Sequence, residues 1–229
     1  MGVKYPLGEA TSSDAHAIAT LFALSWTSPF TQLQFGKINP PSLAKAMAPR
    51  IVDQIRKPHC LFIVARHPET DEVVSVAQWS APISSKNGEG NKKEMAGEKE
   101  ERQRLEDEGY RQRLPENSNK DLIMEFTVSL RKLRNEVLGE REHYRLENLA
   151  THPNYRGQGL ASHLIEWVFP QADIKGVIVY LDTASDNSAM RLYKRLGFQE
   201  AGSQTIDELS RFGGEGSETH VALIRYPQN

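Results

Sequence analysis

The sequence has 229 residues, 38% of them hydrophobic, which suffices for one full hydrophobic core. Its 28 basic and 30 acidic side chains nearly balance, so no global field would attract nucleic acid or an anionic membrane. The single cysteine, Cys60, excludes an intramolecular disulfide framework and a cysteine-ligated metal cluster. No run approaches the roughly 18 apolar residues of a membrane span, and no apolar secretory signal opens the chain. These features predict a soluble, cytoplasmic protein that binds any anion locally.

Before residue 84, the patterning predicts alternating helices and strands. Polar side chains at residues 11–14 can cap a helix, and turn residues at 68–71 separate two apolar runs. The predicted elements are a strand at 3–9, a helix at about 15–24, an irregular or short helical stretch at 26–37, a helix at about 42–57 that Ser42 caps and Pro49 kinks or splits, and a hairpin of strands at 59–66 and 72–79.

A charged insertion is predicted at about residues 84–119. Apolar residues almost vanish there, and charges of both signs crowd together, above all at residues 98–108. Such a stretch cannot bury a core of its own, so it is either flexible or a solvated helix with ion pairs between side chains four residues apart. We favour a partly helical insertion in a single domain that spans residues 1–229.

Helical and strand spacing resumes after the insertion. The predicted elements are a helix at 122–138 with Gly139 as its C-cap, a strand at 143–151, a helix at about 157–169, a strand at 176–181, a helix from 186–188 that Gly197 ends, and a strand pair at 199–201 and 220–226.

The segment Tyr155-Arg156-Gly157-Gln158-Gly159-Leu160-Ala161 joins a predicted strand to a predicted helix. A phosphate needs several converging hydrogen-bond donors, and the first turn of a helix offers unpaired N–H groups. Gly157 and Gly159 remove side chains where the backbone must turn close to a ligand, and Arg156 adds a positive charge. The segment therefore predicts a pyrophosphate site, with an ordinary strand-to-helix turn as the alternative.

Two motifs in this region resemble the signatures of the GNAT superfamily of N-acetyltransferases. Arg156-x-x-Gly159-x-Ala161 is similar to the first, Arg/Gln-x-x-Gly-x-Gly/Ala. About thirty residues downstream, the segment from Asn187 to Phe198 resembles the second, Asn-x-x-Ala-x-x-Leu-Tyr-x-x-x-Gly-Phe, with the alanine one place early. A Rossmann site is disfavoured because its Gly-x-Gly-x-x-Gly is absent, and a nucleotide P-loop because no Lys-Ser/Thr follows.

The resemblance covers about residues 144–202 and implies a fold class. The GNAT fold is an α/β (α+β) architecture whose central, mostly antiparallel mixed sheet is splayed in the middle, with helices on both faces. Less specifically, residues 73–82, the charged insertion and residues 143–153 resemble fungal GNAT proteins related to puromycin N-acetyltransferase.

The resemblance also implies the residues that bind acetyl-CoA, the cosubstrate. Backbone groups of Leu149, Ala150 and Thr151 match the strand end that pairs with the pantetheine arm. Asn187 matches an asparagine that contacts the coenzyme, although a helix N-cap would look the same. The residues that match the pyrophosphate loop are Arg156, Gly157, Gln158, Gly159, Leu160, Ala161 and Ser162. No metal is expected.

Two catalytic residues are predicted. Tyr193 matches the tyrosine that acts as general acid toward the leaving thiolate, and a phenol with an ordinary pKa of about 10 is protonated when that thiolate forms. Strand alternation puts Glu147 on the same face as Leu149 and Arg145, where it could act as general base. The alternatives are a core tyrosine and a salt-bridged strand carboxylate.

The expected reaction is acetyl transfer from acetyl-CoA to a primary amine of a small molecule, by direct attack in a ternary complex. The alternatives are a non-catalytic acyl-CoA-binding regulatory or interaction protein and a protein or peptide N-acetyltransferase. Neither nucleic acid nor membrane is an expected partner. Trp79 and three further aromatic residues, Trp26, Phe30 and Phe35, could line the acceptor pocket, with core packing as the alternative for each.

Overall fold

The computed structural model describes residues 5–37, 39–82 and 96–228. Within them, strands and α-helices alternate along the chain. The strands are β1 (Leu7–Glu9), β2 (Cys60–Arg66), β3 (Val73–Ser80), β4 (His143–Thr151), β5 (Ile178–Ala184), β6 (Gln199–Ile206) and β7 (Glu218–Arg225). The helices are α1 (Ala15–Ser25), α2 (Pro29–Phe35), α3 (Pro40–Ile55), α4 (Ala96–Arg113), α5 (Lys120–Leu138), α6 (Leu160–Glu166), α7 (Phe169–Lys175) and α8 (Met190–Arg195).

The strands form one sheet that is split between its middle strands. Its order is β1-β2-β3-β4-β5-β7-β6, and every neighbouring pair is antiparallel except β4 and β5. These two pair only from His143 with Ile178 to Arg145 with Tyr180. Beyond that point, residues 146–151 of β4 and 181–184 of β5 do not pair with each other, and we call the space between them the splay gap.

Helices cover both faces of the sheet. On one side, here the α6 face, side chains of α6, α7 and α8 pack with Trp79, Tyr144 and Leu181. On the other side, here the α5 face, α1 and α3 cover β2 and β3, and α5 covers β5 and β7. The predicted fold class, a mostly antiparallel mixed sheet splayed in the middle with helices on both faces, is confirmed.

Local sequence explains where two of the helices begin. The Asn39 side chain, rather than Ser42, caps α3, because its Oδ1 accepts a hydrogen bond from the Ser42 N–H at 3.0 Å. Pro49 lies within α3 without ending it. The single helix predicted at residues 157–169 is two helices, and α7 begins at Phe169 with a proline in its first turn, where the missing N–H costs no helical hydrogen bond.

Helix α4 occupies much of the predicted charged insertion. Two ion pairs hold it against α5: Asp107 with Arg131 at 2.5 Å and Arg111 with Asp121 at 2.7 Å. The Asp107 and Arg131 side chains are 23% and 21% exposed, so this pair is better shielded from solvent than an ordinary surface pair. In the described part of the insertion, residues 96–113 are helical and residues 114–119 are not, and residues 83–95 lie outside the described residues.

Candidate active site

A β-bulge in β4 decides which side chains face each side of the sheet. Residues 78 and 79 of β3 pair with Asn148 and Leu146, which leaves Glu147 as an extra residue in β4. Side chains of a strand normally alternate between the two faces of the sheet, and a bulge shifts this alternation by one residue. Both Leu146 and Leu149 therefore contact the core of the α6 face, although they are three residues apart. The prediction that Glu147 and Leu149 share one face is therefore wrong.

The Glu147 side chain lies in a charged cluster on the α5 face, where β4 and β5 part. Arg145 is the register partner of Tyr180, which packs under α5. The Arg145 guanidinium forms an ion pair with Glu147, which also accepts a hydrogen bond from Ser80 Oγ at 2.7 Å. Burial raises the pKa of Asp182 on β5, an effect that the Arg145 charge opposes and the Glu147 charge reinforces. Two carboxylates and a guanidinium thus meet at the start of the splay gap.

A cavity of about 330 Å³ adjoins the glycine segment, and we call it the loop cavity. It is bounded by the end of β4, the loop before α6 and one side of α8. Its lining residues are Thr151, Tyr155, Arg156, Gly157, Gly159, Leu160, Ala161, Ser162, Leu192 and Arg195. Two of these side chains are guanidinium groups and none is a carboxylate, so the lining favours an anion.

The backbone of the loop cavity requires glycine. Gly157 has φ +77° and Gly159 has φ +79°, a conformation that other residues adopt only with strain. A Cβ on either residue would meet nothing within 4 Å, so the strain rather than a clash selects glycine. Arg156 Nε donates to the Thr151 carbonyl at 3.3 Å, and Arg195 reaches Ser162 Oγ at 3.5 Å. The loop is thereby tied to both β4 and α8, with its positive side chains at the cavity.

The side chains of Gln158 and Asn187 have partners within the protein. Gln158 Oε1 accepts a hydrogen bond from the Tyr5 hydroxyl at 2.7 Å, and its side chain lines a neighbouring cavity instead of the loop cavity. Asn187 Nδ2 donates to Thr183 Oγ1 at 2.6 Å, while its Oδ1 accepts from the Ala189 N–H at 2.9 Å. Asn187 therefore braces the turn between β5 and α8.

Tyr193 lies on α8 and is 5% exposed in the core of the α6 face. Its ring meets Phe198 edge to face, with 6.1 Å between the centroids. Burial raises the pKa of Tyr193 to about 12, so the phenol is protonated throughout the neutral range. Leu192, the preceding residue, lines the loop cavity, and Leu149 packs against the same core. Tyr193 and Glu147 thus lie on opposite faces of the sheet.

A second cavity, of about 350 Å³, lies on the α5 face, and we call it the aromatic cavity. The predicted pocket residues Trp26, Phe30 and Phe35 line it. The other lining residues are Ser28, Thr31, Gln34, Tyr110, Ile123, Phe126, Thr127, Asn148, Ala184, Glu218 and His220. Because Asn148 lies on β4 and Ala184 on β5, the cavity meets both strands of the splay gap.

Glu218 and His220 of β7 supply the titratable groups of the aromatic cavity. Their side chains are 19% and 13% exposed, and His220 Nδ1 lies 3.6 Å from Glu218 Oε1. Burial lowers the pKa of His220 to about 4, although the Asp186 charge acts in the opposite direction. Burial, reinforced by Asp186, raises the pKa of Glu218. At neutral pH the imidazole is uncharged, so it can accept or donate a hydrogen bond.

The predicted site residues do not share one site. Thr151 and the loop residues other than Gln158 come together around the loop cavity. Glu147 lies in the charged cluster, Tyr193 and Leu149 lie in or against the core of the α6 face, Ala150 belongs to the core under α1, and Asn187 lies in the turn before α8. Trp79 does not line the aromatic cavity: it is fully buried on the α6 face, because the register of β3 points it there.

Among the cavity residues that the sequence did not predict, four carry charged or titratable groups that a ligand could contact. Tyr110 lies in the charged insertion, Glu218 and His220 lie beyond the second motif, and Arg195 stands at a position that the second motif leaves open. Glu218 and His220 are two residues apart, a spacing that puts both side chains on one face of a strand. This spacing was the one feature of the sequence that could have indicated them as site residues.

Comparisons with known proteins bear on the fold and on the class of protein. Residues 127–200 match the family described as acetyltransferase (GNAT) domain. Arylalkylamine N-acetyltransferase 2 from Aedes aegypti superposes with a TM-score of 0.68 at 12% identity, over 98% of this chain and 100% of that one. Polyamine N-acetyltransferase from Drosophila melanogaster gives a TM-score of 0.60 at 16% identity, over 97% and 100%. A Corynebacterium glutamicum structure described as histone acetyltransferase HPA2 and related acetyltransferase gives a TM-score of 0.57 at 21% identity, over 98% of this chain and 97% of that one.

The structural similarities, all below 25% identity, show a shared GNAT fold, and with the family match they support an acetyltransferase. No curated protein matches the sequence. In the described part of the chain, no helix is long and apolar enough to cross a membrane. Among the same residues, no group of three or more histidine, cysteine, aspartate or glutamate side chains could hold a metal ion.

Proposed function

We propose that this chain, as a single GNAT domain, transfers the acetyl group of acetyl-CoA directly to the primary amine of a small molecule. One observation carries the proposal: the splay gap adjoins both an anion-favouring cavity and an aromatic cavity. The loop cavity reaches β4 at Thr151, and the aromatic cavity reaches β4 at Asn148 and β5 at Ala184. A donor and an acceptor bound in these cavities would meet at the gap without a covalent enzyme intermediate.

The loop cavity fits the diphosphate of acetyl-CoA. Arg156 and Arg195 offset its charge, and the turn at Gly157 and Gly159 lets backbone N–H groups approach its oxygens. The pantetheine arm would then lie along the edge of β4 that faces the gap, against backbone groups of residues 149–151. Asn187, which braces the facing end of β5, would hold the other side of the gap in place.

In the proposed reaction, a neutral amine nitrogen attacks the thioester carbonyl carbon, the C–N bond forms and the C–S bond breaks. The ammonium of the acceptor must first lose a proton, which Glu147 takes directly or through water. The Arg145 and Ser80 contacts fix the orientation of this carboxylate. The Tyr193 phenol, which its raised pKa keeps protonated at neutral pH, donates a proton to the departing thiolate. The nitrogen loses its second proton to water as the amide forms, and a proton from water replaces the one that Tyr193 gives to the thiolate.

Two observations favour a small-molecule amine as acceptor. The aromatic cavity is lined by residues of α2, α4 and α5, by Trp26 at the end of α1 and by strand residues, and its volume is near the lower end of the range of about 300–1,000 Å³ typical of small-molecule sites. Two of the structural neighbours are described as polyamine and arylalkylamine N-acetyltransferases.

The test is to incubate the purified protein with acetyl-CoA and a panel of amines while following the release of free thiol. We expect amine-dependent thiol release, and Tyr193→Phe should lower kcat by about 100-fold while leaving the affinity for acetyl-CoA nearly unchanged, since general acid catalysis contributes about 10²–10⁴-fold. Acetyl-CoA binding without turnover on any amine would indicate a non-catalytic binding protein instead. A large loss of acetyl-CoA affinity in Tyr193→Phe would make Tyr193 a structural residue.

A further inference from the structure

The aromatic cavity has walls built from four separate helical segments. Trp26 at the end of α1 stacks on Phe35 of α2, with 6.1 Å between ring centroids and 16° between ring planes. Phe30 of α2 meets Phe126 of α5 edge to face at 5.0 Å. Tyr110 of α4 adds the last ring. These rings give the cavity an aromatic wall against which an aromatic body can pack, and polar side chains such as Gln34 and Thr127 complete the lining.

The charges that line the aromatic cavity are few. Among its described lining residues, Glu218 carries the only carboxylate, and no lysine or arginine is present. His220, beside it, has a pKa of about 4 and adds no charge at neutral pH. A site with one carboxylate and no cation matches a ligand with one positive charge.

The position of Glu218 gives the ligand a direction. Ala184, which lines the cavity at the gap, is the register partner of His220, and the Ser185 N–H donates to the Thr219 carbonyl at 2.9 Å. Glu218 thus lies beside the end of β5, at the mouth of the splay gap, whereas the packed rings of Phe30 and Phe126 belong to the helices above the sheet. An ammonium held by Glu218 lies next to the gap, and the body attached to it extends among the rings.

From this arrangement, we propose that the acceptor is an aromatic monoamine, with its ammonium on Glu218 and its ring between the aromatic side chains of α1, α2, α4 and α5. The proposal rests on the proposed function and adds the substrate class. A polyamine or a guanidino-amine would bring a second cation for which the lining offers no second carboxylate. The aromatic rings, hydroxyls and amides that remain stabilise a cation less than a carboxylate does. The cavity therefore selects against dications.

The first experiment compares kcat/KM for 2-phenylethylamine and tryptamine with kcat/KM for agmatine and spermidine, at one pH and saturating acetyl-CoA. We expect the aromatic monoamines to be at least about tenfold better, since a site that leaves a buried charge unpaired discriminates strongly. Equal or better turnover of agmatine or spermidine would overturn the proposal while leaving the acetyltransferase function intact. No transfer to any amine would overturn both.

The second experiment tests the role of Glu218 with a matched control. Glu218→Gln should raise KM for 2-phenylethylamine by about tenfold or more, because a hydrogen bond between charged partners is lost. Glu125→Gln makes the same change on a carboxylate that pairs with Arg211 at 2.8 Å and does not line the cavity, so it should leave that KM unchanged. In both variants, the KM for acetyl-CoA reports whether the fold is intact. Equal KM values for the amine in the two variants would contradict the role of Glu218.

A gain-of-function variant makes the result independent of stability losses. Phe35→Glu places a second carboxylate on a half-buried wall position. It should shift the ratio of kcat/KM for agmatine to that for 2-phenylethylamine by about tenfold toward agmatine, which a merely destabilised protein would not do. An unchanged ratio would contradict the proposal that missing charge excludes dications.

Discussion

Protonation of His220 should make the free energy of unfolding fall as the pH drops below 7. An imidazole in an unfolded chain titrates near pH 6.5, whereas His220 in the folded protein titrates near pH 4. Between these values, the unfolded state binds more protons than the folded state, so acid favours unfolding. From the two pKa values, the loss between pH 7 and pH 5 is about 2 kcal/mol, and the full loss below pH 4 is about 3 kcal/mol.

The assay is urea unfolding of the wild type and of His220→Gln at pH 7 and pH 5. Glutamine does not titrate, so the free energy of unfolding of the variant should fall less between these two pH values, by about 2 kcal/mol. The raised pKa of Glu218 has the opposite effect on stability, so the comparison is repeated with Glu218→Gln in both proteins, which removes this contribution. Parallel pH dependence in the two proteins, or an imidazole resonance of His220 titrating near pH 6.5, would refute the burial argument.

Two further predictions concern the loop cavity. Gly159→Ala should destabilise the fold by about 1–2 kcal/mol and weaken acetyl-CoA binding, whereas Gly213→Ala, equally strained at φ +81° but distant from the cavity, should lower only the melting temperature. Arg195→Gln should raise KM for acetyl-CoA by about tenfold with kcat preserved, whereas Lys194→Gln, whose lysine pairs with Glu200 at 2.8 Å outside the cavity, should not. Equal KM values for acetyl-CoA in Gly159→Ala and Gly213→Ala, or in Arg195→Gln and Lys194→Gln, would contradict the assignment of the diphosphate to this loop.

Sequence patterns predicted the fold well where local chemistry decides the structure. The glycines at 157 and 159 are compatible with a tight turn, and Gly139 and Gly197 mark chain positions where only a residue free of Cβ strain fits. The hairpin of β2 and β3 follows from two apolar runs around turn residues. Such features depend on a few adjacent residues, so one sequence suffices to find them.

The predictions of site residues are wrong or incomplete where the structure depends on contacts between residues that are distant in the sequence. The β-bulge at Glu147 is a property of the pairing between β3 and β4, and the sequence of β4 alone gives no sign that Leu149 faces away from Glu147. The same holds for the aromatic cavity. Tyr110 and Glu218 are more than a hundred residues apart in the sequence. They line the same cavity only because α4 packs on α5 near the first residue of β7.

The most direct test of direct acetyl transfer is a single-turnover experiment. The protein is mixed with a limiting amount of acetyl-CoA labelled in the acetyl group and with an excess of the amine that gives the fastest thiol release in the panel, then quenched, and the label is located by mass spectrometry. Transfer through a ternary complex predicts label in the acetylated amine in the amount of acetyl-CoA consumed, and no label on the protein when the amine is omitted. Label that remains on CoA, or that accumulates on the protein without amine, would contradict it.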